Sequence, residues 1–213
     1  MCKVFWLSVA MLSGTYAGSL LDFSYGILER ERGNAESAHA YFDKAYDADP
    51  VAMPLVRIIA ESRMADGDRS GALEAYQRVI EARPDDHDIA IEYGDFLGKV
   101  GKGDSLAERM REEIYRKVLD ALPGDLLPVE RLIRVARERS DDNRARELLE
   151  TLDASSEEAI RYYVATTKSL YDSKDEEALA RIDKRFGEAM GQHPEWAGIA
   201  RAASDHFRTT GRM

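Results

Sequence analysis

Residues 22–50 read DFSYGILERERGNAESAHAYFDKAYDADP, and residues 51–84 read VAMPLVRIIAESRMADGDRSGALEAYQRVIEARP; the second stretch restates the first. Gly26, Gly33, Ala38, Phe42 and Pro50 return 34 residues later as Ala60, Gly67, Ala72, Tyr76 and Pro84. A third pass opens on schedule with Gly94 and Gly101. A fixed period of this length is the signature of a stacked repeat, in which each unit buries its apolar face only against its neighbours.

Each unit reads as a helical hairpin. In the first, one helix covers roughly Leu20 to Arg32 and its partner roughly Ala35 to Asp47. Gly33 stands where the first helix must stop, since glycine takes the left-handed conformation at little steric cost. Gly26 and Ala38 are small residues that let two helices approach, and Phe42 fills the space beside them. Pro50 cannot continue a helix and ends the unit.

These residues resemble the tetratricopeptide repeat, whose pattern has a small residue in the first helix, then Ala, an aromatic four residues on, and Pro. The match is good at Gly26, Ala38, Phe42, Ala45 and Pro50, and at Ala60, Ala72, Tyr76 and Pro84. It lapses where the family often has Trp and Tyr in the first helix: Asp22, Glu29, Val56 and Arg63 stand there. The resemblance implies an all-α fold, a right-handed α-solenoid of stacked antiparallel helix hairpins with a C-terminal capping helix. Its units would fall at about 19–52, 53–86, 87–125, 126–158 and 159–194, with the capping helix at 195–208.

The later units drift from the pattern. Pro84 and Pro123 are 39 residues apart, five more than the period, so the second helix of the third unit is longer. Counting back from Pro123 puts Tyr115 at the aromatic site and Arg111 at the small site. Val129, Leu132, Ile133 and Ala136 give the fourth unit an apolar face, and Ser140–Asn143 its turn. In the fifth, Ala178 takes the small site and Ile182 the larger apolar one. Trp196, Ile199, Ala203 and Phe207 share one face of a last helix, which suits a lid over the final hairpin.

The N-terminus differs from everything after it. Lys3 is the only charge in residues 1–18, and Val4–Leu12 is a nine-residue apolar run. With Thr15-Tyr16-Ala17 before Gly18 it resembles a secretory signal, too short for a transmembrane helix. If it is cleaved, the protein is exported to a periplasm or envelope; otherwise the chain is cytoplasmic. The other reading makes the run an apolar helix that packs on the first repeat or begins a truncated earlier one.

The 213 residues carry a net charge of −10 and a single cysteine, Cys2. That balance argues against a dedicated nucleic-acid binder, which shows a basic face. His39, His87, His193 and His206 lack metal-ligand spacing, so no metal site is expected. Gly98–Gly103 lacks the phosphate-loop spacing, no nucleophile motif is present, and no catalytic residue or cofactor is assigned.

Arrays of the resembled family take a protein or peptide partner on the concave wall lined by their first helices. Helical spacing puts Arg57, Glu61 and Met64 on that wall in the second unit, and Ile91 and Asp95 in the third. The fourth contributes Glu130, Arg134 and Arg137, and the fifth Tyr163, Thr167 and Tyr171. Phe23 and Ile27 stand where relatives that clamp a terminal carboxylate have Lys and Asn, so that subgroup does not fit. The reading is a non-catalytic interaction scaffold; its rival is a structural protein that oligomerises through its end helices and docks by its apolar N-terminus.

Overall fold

The computed structural model describes residues 18–153 and 155–212, so Cys2 and the apolar run Val4–Leu12 lie outside the described residues. The described residues form eleven helices and no strand. They are α1 (18–31), α2 (Ala35–Ala48), α3 (Met53–Ala65), α4 (Arg69–Ala82), α5 (His87–Val100) and α6 (Ser105–Ala121), then α7 (Leu126–Glu138), α8 (Asp142–Glu150), α9 (Glu157–Leu170), α10 (Glu176–Gln192) and α11 (Ala197–Thr210). They divide into two compact units, one up to Ala107 and one from Glu108.

Acidic side chains start most of these helices. Asp68, Asp86, Asp125, Asp141 and Asp175 each accept a hydrogen bond from a backbone N–H two or three residues on, as does the Ser156 hydroxyl. These caps satisfy donors that a helix start leaves orphaned and place negative charge at the positive end of the dipole. Part of the acidic excess therefore has a structural task.

Three of the turns inside the hairpins share one geometry. Gly33 and Gly67 have φ of 81° and 82°. Their N–H groups donate to Arg30 and Met64, and the following N–H groups, of Asn34 and Asp68, donate to Glu29 and Arg63. This is the paired closure of a left-handed helix end. Ser140 makes the same closure onto Arg137, and Asp141 onto Ala136, although Ser140 carries a side chain at φ 57°. In the third hairpin the left-handed residue is Gly103, at φ 84°, and not the turn glycine the period assigns, Gly101. Gly101 has φ −101° and needs to be small for another reason: a Cβ there would run into the Cβ of Ala107.

In the first unit the core follows the small–aromatic rule. A Cβ on Gly26 would lie 2.5 Å from the Phe42 ring, so α1 and α2 meet at ring-to-backbone contact. Ala38, Phe42 and Ala45 are buried, and so are Ala60, Ala72 and Tyr76 one period later. Helix α3 packs on both α2 and α4, and α4 also packs on α5. The same small residues thus set the spacing within and between hairpins.

In the second unit the residues of α6 from Glu108 onward bury Arg111, Tyr115 and Val118 along one seam. Helices α7 and α8 pair, α8 packs on α9, and α11 packs on both α9 and α10. Ile160, Ile182, Phe186, Ala189, Ile199 and Ala203 form that last core, with Trp196 and Phe207 against it. His206 is buried there as well, its Nε2 2.9 Å from Asp183.

Candidate functional site

Each unit carries an open cavity on the face of its first-of-hairpin helices. In the first unit, α3 supplies Arg57, Glu61 and Met64. Helix α5 supplies Glu92, Asp95, Phe96, Lys99 and Val100, and Tyr76 reaches in from α4; together they enclose about 570 Å³. The α5 residues recur at three- and four-residue steps, so they share one stripe of that helix.

The cavity is built around Glu92. Arg57 donates to both its oxygens, at 2.6 and 2.5 Å, and the Tyr76 hydroxyl donates to it at 3.1 Å. Tyr76 and Phe96 pack with ring centroids 4.7 Å apart, giving an aromatic floor beside the ion pair. The hydrogen bonds from Arg57 hold the Glu92 carboxyl below the usual carboxylate range against the opposing effect of burial, and Tyr76 adds to them. Burial, and then the Glu92 charge, push the Tyr76 hydroxyl well above the ordinary tyrosine value. Both groups therefore keep one protonation state across the neutral range, which suits a fixed recognition surface rather than proton transfer.

In the second unit, Glu130, Ile133, Arg134, Arg137 and Glu138 of α7 face Tyr162 of α9 across a cavity of about 420 Å³. Arg134 donates to Glu130 at 2.9 Å, and Arg131 lies 3.1 Å from the same oxygen. Arg137 makes a long contact, 3.4 Å, to the Ser169 hydroxyl. Burial pushes the Tyr162 hydroxyl up, so it too stays protonated.

The structure thus brings Arg57, Glu61, Met64 and Asp95 together in one cavity, and Glu130, Arg134 and Arg137 in the other. It moves four expected wall residues elsewhere. Ile91 is 5% exposed, Tyr163 2% and Thr167 1%, so all three are core residues. Tyr163 donates to Glu150 at 3.0 Å, and the Arg185 guanidinium lies 4.8 Å from its ring. Tyr171 sits beneath Arg146 and Arg181, at 4.7 and 6.0 Å. The neighbouring residues Glu92 and Tyr162 take the wall places instead. One residue is a 100° rotation on a helix, enough to turn a side chain from solvent into the core.

Spacing within α3 alone did not reveal Glu92, Tyr76, Phe96 or Lys99. A signal was present: Arg57 and Glu92 are 35 residues apart, close to one period, and carry opposite charges. Among the described residues no group of three or more His, Cys, Asp or Glu side chains is placed to hold a metal ion, and no helix is long and apolar enough to cross a membrane.

No protein-family model matches the sequence, and no curated protein matches it. Solved structures do. The chain is similar to a tetratricopeptide repeat protein from Parabacteroides merdae, at 11% identity over 92% of this chain and 75% of that one, with a TM-score of 0.51. It is also similar to a thermophilic protein of the same repeat type from Thermus thermophilus, at 12% identity over 89% and 98% of the two chains, with a TM-score of 0.46. Pseudomonas aeruginosa PilF aligns at 17% identity over 92% and 78%, with a TM-score of 0.47.

Proposed function

We propose, on the premise that the chain has the tetratricopeptide-repeat fold, that it is a non-catalytic scaffold which binds a protein partner along its first-of-hairpin helices. The observation that supports this most directly is the cavity around Glu92. A fixed ion pair lies beside an aromatic floor, with Glu61, Asp95 and Lys99 at its edge. Such a surface offers apolar area for an anchor side chain and charges of both signs to set its register.

The partner class that fits is an extended or helical peptide segment with an apolar anchor flanked by charges. The first cavity has three acidic and two basic side chains, Glu61, Glu92 and Asp95 against Arg57 and Lys99. With Arg57 committed to Glu92, a basic residue beside the anchor is favoured there. The second cavity balances two acids with two arginines, so it does not select charge in the same way.

The test uses a photo-crosslinking amino acid placed at Glu61, at Arg137 and, as a control, at Lys174. One protein captured from both cavity positions and not from Lys174 supports the proposal. The purified partner should then lose at least tenfold in affinity with Arg57→Glu and Arg134→Glu combined. Equal capture from all three positions, or unchanged affinity, overturns it.

A further inference from the structure

By formal charge the cavity of the second unit is balanced, with Glu130 and Glu138 against Arg134 and Arg137. By partners it is not. Glu130 is held by Arg134 at 2.9 Å and by Arg131 at 3.1 Å. Glu138 is held from α6 by both arms of Arg111, at 2.8 and 3.1 Å. Four arginines thus meet two carboxylates, and both carboxylates are taken. Arg137 is left with a 3.4 Å contact to the Ser169 hydroxyl. A charge-assisted hydrogen bond is shorter, at about 2.7–2.9 Å.

The contrast with Arg57 is direct. A guanidinium presents its N–H donors in a fixed fork. Arg57 spends that fork on Glu92, with bonds of 2.6 and 2.5 Å. Arg137 is exposed and keeps most of its fork for another acceptor. Tyr162 of α9 lines the same cavity. Burial pushes its hydroxyl up, against a hydrogen bond from Thr166, and the charges of Glu130, Arg134 and Arg137 reach it as well. The hydroxyl keeps its proton at neutral pH and can donate it. Ile133 completes the lining with apolar surface.

We propose that this cavity takes the carboxylate side chain of an Asp or Glu in the partner segment, held between the Arg137 fork and the Tyr162 hydroxyl. The inference rests on the groove reading above and adds the chemistry of one subsite to it. A carboxylate has two oxygens, one for each donor, and the apolar stem of a glutamate can lie on Ile133 and the Tyr162 ring. The cavity is open, so the segment can run on past it. A chain that carries −10 overall repels an acidic segment from most of its surface. A local excess of arginine therefore fixes where such a segment settles. A basic side chain is disfavoured, because it would have to draw Glu130 or Glu138 away from arginines that already satisfy them.

The test is selection from a displayed library of random 16-residue peptides, flanked on both sides by linker, with the 213-residue chain as bait. The enriched peptides should share an Asp or Glu. The best of them, synthesised with blocked ends, should lose at least tenfold in affinity for Arg137→Glu and several-fold for Arg137→Gln. Replacing the shared acid by Lys should restore binding to Arg137→Glu, a charge swap that a misfolded variant cannot give. Arg144→Glu, the same charge change on α8 outside the cavity, should stay within twofold of the parent. Enriched peptides without a shared acid overturn the inference and leave the groove reading standing, and so does a shared acid whose contribution survives Arg137→Glu. Enrichment only from a second library with free C-termini overturns it too, because the subsite then takes a chain end. No enriched peptide from either library overturns the groove reading for peptide segments, and the inference falls with it.

Discussion

Two of the arginine–carboxylate pairs that tie neighbouring helices together, one from each unit, differ in which partner is buried. Arg57 and Glu92 have side chains 53% and 28% exposed, and both belong to the wall of a cavity. Arg111 and Glu138 have side chains 9% and 51% exposed, so there the cation is inside and the carboxylate outside. Arg57 lies over open space; Arg111 lies at the place where the first two units have Ala38 and Ala72. The same bidentate chemistry thus serves a surface in one unit and replaces a small-residue contact in the other. Arg111 donates to Glu138 at 2.8 and 3.1 Å and lies 5.9 Å from the centre of the Tyr115 ring. Burial disfavours its charge, but its hydrogen bonds to Glu138 and Tyr115 outweigh that and hold its pKa above the ordinary arginine value.

The comparison breaks first at Glu138. Glu138→Ala leaves a buried guanidinium without its counter-charge and should cost about 3 kcal/mol in chemical denaturation. Arg111→Met removes the charge with its partner and keeps most of the volume, so it should cost clearly less than Glu138→Ala. Equal losses would mean that the guanidinium left without Glu138 carries no penalty beyond loss of the pair itself. Gly26→Val tests the rule that operates in the first unit. Its Cβ would enter the Phe42 ring at 2.5 Å, and the strain should cost about 2 kcal/mol. An unchanged melting temperature would show that α1 can move off α2 freely, and the small–aromatic contact would not be what spaces the helices.

The repeat was legible because its signals are packing constraints. Gly26 is small because Phe42 touches it, Ala60 and Ala72 because their helices approach, and Gly33 and Gly67 because the turn requires positive φ. Each constraint acts within a few residues or across one hairpin, so it marks the sequence at a fixed period. The exposed stripes that line the cavities were legible where exposure on both flanks left a clear pattern, as at Arg57, Glu61 and Met64 or at Glu130, Arg134 and Arg137. They were misread at Ile91 and Tyr163, where helices on both sides bury residues a 3.6-residue count cannot separate from their neighbours. Arg111 was recognised as out of pattern, but its partner stands 27 residues away and only packing identifies it. The third turn was misread for a related reason: the 34-residue spacing points to Gly101, but Gly103 takes the positive φ and Gly101 is small because of its contact with Ala107.

Ser140 sharpens the contrast between turns. It holds the left-handed conformation that Gly33 and Gly67 hold, with the same closing hydrogen bonds. A side chain in that region costs about 1–2 kcal/mol, part of which glycine's freedom in the unfolded chain returns. Ser140→Gly should therefore stabilise the second unit by about 1 kcal/mol, measured by the shift in denaturation midpoint at constant slope. A loss of stability would mean that the serine side chain holds the turn through a contact of its own.

The smallest effect belongs to the exposed pair, and its pH dependence is what separates it from the buried one. Arg57→Ala should cost only about 0.5 kcal/mol at neutral pH, because water screens a pair whose arginine is more than half exposed. Glu92 has its folded pKa depressed, first by the hydrogen bonds from Arg57. A depressed carboxylate contributes stability above its unfolded pKa and loses it as pH falls through the folded value. The gap between parent and Arg57→Ala should therefore close on acidification, while the carboxyl resonance of Glu92 in the variant titrates at higher pH than in the parent. A gap that persists well below the folded pKa would mean that Arg57 stabilises by laying its aliphatic stem on Tyr76 and Phe96, and the wall pair would then resemble the buried one more than its exposure suggests. Loss of partner affinity in Arg57→Ala with so small a change in stability would mark Arg57 as a recognition residue, a split that Arg111 cannot show, because removing it weakens the hairpin itself.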